Sequence, residues 1–278
     1  MKMKKILVPC DFSKAAIDAY HQALSLAAKP GGTVYLLHVI EPPLMQDTML
    51  MPTLNFEEEL MRDMKAKAEK EFTALAKKNS EKEITVSHEI RYGSVASVIL
   101  EQVAEKKADM VVMGSTGASG VKEYLIGSNA ERIVRQSPVP VMVVKKNSSR
   151  PIKNIVFPND LNVEHQDDLV ARVKELQNTF HANLHIVWIN TPSDFQIDTL
   201  TWQRLEAFAK RFMFAHCTLH IFNHLSKQQG IIEFTNRVNG DLIALGTHGR
   251  TGWERLVVGS VTESVVKAST LPVLAVKL

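Results

Sequence analysis

Short apolar runs alternate along this chain with longer segments whose apolar residues recur every three or four positions. The runs at 6–8, 33–39, 84–90, 110–113 and 139–144 are bounded by proline, glycine or aspartate, as strands are. Between them, 13–28 carries Ala16, Ile17, Tyr20, Leu24 and Ala27 at helical spacing, with Ser13 as N-cap and Gly31 as stop. Helices are also expected over 56–78, 94–106 and 129–136. The same order recurs in the second half: strands at 154–157, 183–189, 217–222, 242–245 and 271–276, with helices near 164–181, 201–214 and 230–238 and a last one before the final strand. Strands that alternate with helices predict a parallel α/β sheet covered by helices on both faces.

The recurrence is a duplication. Lys4-Lys-Ile-Leu-Val-Pro-Cys-Asp11 matches Lys153-Asn-Ile-Val-Phe-Pro-Asn-Asp160. Gly114-Ser-Thr-Gly117, nine residues and Gly127-Ser128 match Gly246-Thr-His-Gly249, nine residues and Gly259-Ser260. Each motif follows a strand led by an aspartate, Asp109 or Asp241, and precedes a closing strand that opens at Pro140 or Pro272. Pro42 to His88 spans 46 positions and Pro192 to His220 spans 28, so the second copy is shorter there by 18 residues. The extra stretch of the first copy includes Met45, Met49 and Met51, which suit either a mobile flap or a packing surface. The expected division is 1–146, a short polar linker at 147–151, and 152–278. The apolar closing strands come last in each copy, at expected sheet edges. An exposed apolar edge needs a partner, so the two are expected to pair with each other, giving a pseudo-dimer within one chain, with a further homodimer as an option.

Composition narrows the functions. The 278 residues carry a net charge of +3 with no separate block of basic residues, which argues against nucleic acid as partner. No 18-residue apolar stretch exists, so no membrane span is expected. Cys10 and Cys217 lie in different copies and make neither a disulfide framework nor a metal spacing, which fits a reducing cytoplasm. His181/His185 and His216/His220 each have helical i,i+4 spacing, but expected strands or loops interrupt both, so no metal pair is expected.

In such a sheet, ligands bind outside the carboxyl ends of the strands, where the strand order reverses. Pro9 and Asp11, Val39, and Gly114 and Gly117 fall at the ends of strands one, two and four. Gly127-Ser128 falls at the start of the last helix, where unpaired N–H groups suit an anion. Ser128-Asn-Ala-Glu131 and Ser260-Val-Thr-Glu263 both have capping-box spacing, so these serines cap a helix, touch phosphate, or do both. Neither a Walker A loop nor the dinucleotide fingerprint is present. No carboxylate–histidine–nucleophile set can be assembled, so no catalytic residue is expected. His248, inside the second glycine loop, suits a local hydrogen bond or a phosphate contact.

The Pro-x-Asp opening, the Gly-x-x-Gly, nine-residue spacer and Gly-Ser motif, and the closing Pro-Val strand resemble the universal stress protein family (UspA-like), as a tandem two-domain member. The resemblance covers nearly the whole chain. It implies two Rossmann-like domains of the adenine nucleotide alpha hydrolase type, each with a five-stranded parallel sheet. It also implies ATP, ADP or AMP as cofactor, with Mg as an accompanying ion, and a stress-response role as a cytoplasmic binding module. Hydrolysis would be slow at most. Asp11 and Val39, with Pro9 beside them, would contact adenine and ribose, and Gly114, Gly117, Gly127, Ser128 and Asn129 the phosphates. The matching set in the second copy is Asp160, Ile189, Gly246, Gly249, Gly259 and Ser260, with Val261 where Asn129 stands. That loss of a polar side chain ranks the first copy as the better site. A nucleotide-independent interaction protein with a vestigial motif, or an enzyme on the same fold, are the rival readings.

Overall fold

A computed structural model describes residues 3–28, 31–42, 54–78, 84–116, 126–145, 151–247 and 255–278, the side chains of 54–58, 77–78 and 255–260 excepted. Gly117, Gly249, His248 and the methionines at 45, 49 and 51 lie outside the described residues.

The first half runs β1 (Lys5–Pro9), α1 (Lys14–Ala27), β2 (Thr33–Ile40), α2 (Leu54–Lys78), β3 (Thr85–Tyr92), α3 (Val95–Glu105), β4 (Met110–Gly114), α4 (Ser128–Gln136) and β5 (Val141–Val144). The second runs β6 (Asn154–Pro158), α5 (Asp167–Phe180), β7 (Asn183–Asn190), α6 (Asp198–Arg211), β8 (Cys217–Asn223), α7 (Lys227–Arg237), β9 (Leu242–Thr247), α8 (Arg255–Ala268) and β10 (Val273–Lys277). All ten strands form one sheet in the order β3-β2-β1-β4-β5-β10-β9-β6-β7-β8. Within each half the pairs are parallel. The join is antiparallel: Val143 faces Val273, Met142 faces Leu274 and Val141 faces Ala275. The closing strands therefore pair as their apolar, edge-prone sequences require, and they lie at the centre of the sheet. The outer edges are β3 and β8, whose residues are largely exposed or half-buried.

Strand periodicity sorts side chains onto two cores. Ile6 and Val8 join the layer under α1, α2, α5 and α6, while Leu7 joins the layer under α3, α4, α7 and α8. Ser13 caps α1 as expected, accepting from the Ala16 amide at 3.3 Å. The small face of α1, Ala15, Ala16, Ala19 and Ala23, lets the helix lie close to the sheet. The strand-leading aspartates have a structural task. Asp109 accepts from the Lys4 and Lys5 amides, both at 2.9 Å, and Asp241 from the Lys153 and Asn154 amides at 2.8 and 2.9 Å. Each thereby ties the start of its half's first strand to its fourth.

The two capping boxes do not form. In α4 the N-cap is Gly127, with no side-chain cap, and Ser128 is already helical. In the second half α8 begins at Arg255, so Gly259 and Ser260 lie inside the helix rather than at its start. Arg255-Leu-Val-Val carries neither glycine nor proline, and one glycine inside a helix costs only about 1 kcal/mol, so helix propagates through Gly259. The two glutamates serve the other half instead. Glu263 accepts from Arg135 Nε and one Nη, both at 3.0 Å, and Glu131 accepts from Lys267 at 3.1 Å as well as from Arg135 at 3.2 Å, a reciprocal exchange across the join. These partly exposed pairs contribute at most about 1 kcal/mol each, so they set the fit of α4 against α8 more than its strength. Lys145 is buried at the same join, donates to the Lys267 carbonyl at 3.5 Å, and is pushed down to about 8 by burial.

Candidate functional site

In the first half the strand order reverses between β1 and β4, and a cleft of about 250 Å³ opens at their carboxyl ends. Pro9, Asp11, Val39, Gly114, Gly127, Ser128 and Asn129, all expected from sequence, line it together. Cys10, expected beside the site, is in the wall, with Ser115 and Thr116 of the glycine motif; His38 and Val95 also line it and were not expected there. The signal for His38 was its place one residue before Val39 at a strand end.

Local chain geometry fixes the rim. After Pro9-Cys-Asp11 the chain turns through Phe12 in the left-handed region, φ 63°. The turn is held by Asp11 Oδ1, which accepts from the Ser13 amide at 3.1 Å. His38 donates from Nδ1 to the Cys10 carbonyl at 2.8 Å, which ties the end of β2 to that of β1. The Gly127 amide donates to the Ser115 carbonyl at 2.7 Å, which brings the start of α4 back over the end of β4. Among the described residues no side chain caps α4, and its first residues, Gly127 to Ala130, line the cleft. Gly114 has a second reason to be glycine: a Cβ there would lie 2.8 Å from the Ala15 carbonyl carbon and 2.9 Å from the Ala16 nitrogen. The Cys10 thiol, 3% exposed, is pushed up to about 11 by burial, so it sits in the wall as a small apolar group and not as a thiolate.

The second half repeats the frame and changes the contents. Asp160, Ile189 and Gly246 line a cleft of about 100 Å³, with Leu161 in the same left-handed turn, φ 59°. Here Gln166, 2% exposed, donates to Asp160 Oδ1 at 2.9 Å and accepts from Asn159 at 2.6 Å. Trp188 stands where His38 stands in the first half, with Arg204 and Lys227 at 5.3 and 5.8 Å from its ring. Leu278 fills the space beside Gly246, its Cδ1 2.8 Å from where a Cβ would be. Val261 replaces Asn129, and α8 starts upstream of the Gly-Ser step. The two clefts thus share a backbone and differ in room and polarity. Among the described residues no three His, Cys, Asp or Glu side chains gather as a metal-binding group, and no helix is long and apolar enough to cross a membrane.

A duplicated parallel α/β sheet with a cleft at each switch point defines a tandem protein of the Rossmann-like class. The family model that matches is the Universal stress protein family, over residues 2–145 and 221–277, and the chain belongs to that family. A universal stress protein of Methanocaldococcus jannaschii is 31% identical over 143 residues, covering 51% of this chain and 82% of that protein. One from Mycolicibacterium smegmatis is 24% identical over 294 residues, covering 98% of this chain and 96% of its own. The crystal structure of a universal stress protein from Archaeoglobus fulgidus superposes with a TM-score of 0.78 at 21% identity, covering 100% of this chain and 99% of that one. The stretch 146–220, which falls outside the family match, carries Gln166 and Trp188, two of the residues that remake the second cleft.

Proposed function

We propose that the first-half cleft binds ATP or a related adenine nucleotide, and that the protein is a cytoplasmic, nucleotide-dependent regulatory module of the stress response. The observation that carries this reading is the convergence of Asp11, Val39, the Gly114 loop and the uncapped start of α4 on one cleft of about 250 Å³. Amides at a helix start favour phosphate, and a rim carboxylate favours a ribose hydroxyl or an adenine amino group. Mg would ride on the phosphates. Gly117 would complete the phosphate loop. The halves, 1–146 and 152–278 with a linker at 147–151, would act as an intramolecular pseudo-dimer. The second cleft, smaller and with Asp160 engaged by Gln166, would take nucleotide weakly or not at all.

Isothermal titration with ATP tests this. The expected stoichiometry is one per chain. Asp11→Ala is expected to weaken binding about tenfold or more, the loss of one hydrogen bond to a charged group, while Asp160→Ala stays within about threefold of the parent. Equal losses would overturn the ranking of the two clefts. No heat from ATP, ADP or AMP would favour the rival reading, an interaction protein with a vestigial site.

A further inference from the structure

The second half contains a paired imidazole cluster that the nucleotide reading does not use. His185 on β7 and His220 on the edge strand β8 come from different i,i+4 pairs in the sequence, yet they meet across adjacent strands. His185 Nδ1 lies 3.3 Å from His220 Nε2, and Thr218 Oγ1 bonds both, at 2.8 and 2.9 Å. The His220 ring packs 4.9 Å from Phe234 of α7. His185 Nε2 is buried with no hydrogen-bond partner among the described residues. That orphan nitrogen decides the chemistry. As a lone pair it is tolerable, but as an N–H it would be an unsatisfied buried donor. The ring therefore keeps its proton on Nδ1, toward Thr218 and His220, and a metal at Nδ1 would force the costly tautomer.

Protonation meets three obstacles: the orphan Nε2, the second ring 3.3 Å away, and burial. Burial lowers the pKa of both rings below 6.5, and a charge on His185 lowers that of His220 further. Among the described residues no carboxylate offsets this. The charged residues of α7 are occupied elsewhere: Lys227 by Asp194 at 2.7 Å, Glu233 beside His224 at 3.4 Å, and Arg237 over the Phe222 ring at 6.0 Å. The neighbouring strand β6 carries no titratable side chain from Asn154 to Pro158. Cys217 packs into the opposite layer, and Asp241 is held by the Lys153 and Asn154 amides.

We propose that His185 and His220 form an acid-sensitive latch on the outer edge of the second half, which releases β8 and α7 when the pair takes up a proton. Both rings are neutral in the closed edge and ordinary imidazoles in the opened one. The closed edge is thus at full strength above pH 6.5. It weakens as pH falls below that value, because the opened form binds more protons, and the loss levels off below the lowered native values. The proposal stands apart from nucleotide binding, which concerns the other half.

Hydrogen exchange of the full chain at pH 7.5 and 5.5, corrected for intrinsic rates, tests it. Amides of β8 and α7 are expected to open at least tenfold more at pH 5.5, the factor carried by one unit of differential protonation, while β1 and β4 hold. His220→Gln is expected to shrink that difference, since His185 alone keeps its burial and its orphan nitrogen. Equal pH response in parent and variant would overturn the latch. Should the variant not fold, histidine NMR titration of the parent decides: pKa values below 6.5 for both rings support the latch, and values at or above it overturn it.

Discussion

Val143→Lys is expected to part the two halves along β5 and β10. Val143 is fully buried and faces Val273 across the antiparallel join. A fully buried amine shifts by about 3–5 pKa units, which at neutral pH, where it can shed its proton, is on the order of 4–5 kcal/mol. That rivals a domain's whole stability, so the cheaper response is to open the join and hydrate the ammonium. Protection against hydrogen exchange should fall in β5 and β10 together, with exposure of Met142 and Leu274. If β10 stays protected while β5 opens, the strands do not depend on each other and the coupling is refuted.

Gly114→Ala is expected to cost about 1–3 kcal/mol, the usual penalty for overfilling a packed interior, and to weaken ATP binding as α1 is pushed off β4. The added Cβ would meet backbone, the Ala15 carbonyl carbon at 2.8 Å and the Ala16 nitrogen at 2.9 Å, and backbone cannot turn aside. Gly246→Ala is the internal control. Its nearest neighbour is the Leu278 side chain, which can move, so its cost should stay under about 1 kcal/mol. Urea midpoints of both variants check this pair; equal destabilisation would mean that α1 is not held where the contacts place it.

Much of this was legible in the residues, for a physical reason. Strands buried on both faces, such as Met110–Met113, and glycine spacing repeated across a duplication leave few alternatives for sheet type or cleft position. The pairing of closing strands followed from their apolar character and their place last in each copy. What stayed hidden was long-range. Ser-x-x-Glu is a local signature, and nothing local says that Glu131 and Glu263 find Lys267 and Arg135 some 130 residues away. The start of α8 at Arg255 was missed because Gly259 looked like a boundary and proved to be an interior residue. His185 and His220 were weighed along one chain segment each, whereas register between β7 and β8 sets their distance. Gln166, which binds Asn159 and Asp160 at once, gave no sequence signal at all.

The antiparallel join has a directional consequence. Strands of the first half run one way across the ribbon and those of the second run the other, so their carboxyl ends emerge on opposite rims. The two clefts therefore open on opposite rims of the sheet. Mutation could shrink the second, tie up its aspartate and roof it with leucine without touching the walls of the first, and a single chain could hold nucleotide on one rim while offering a different surface on the other.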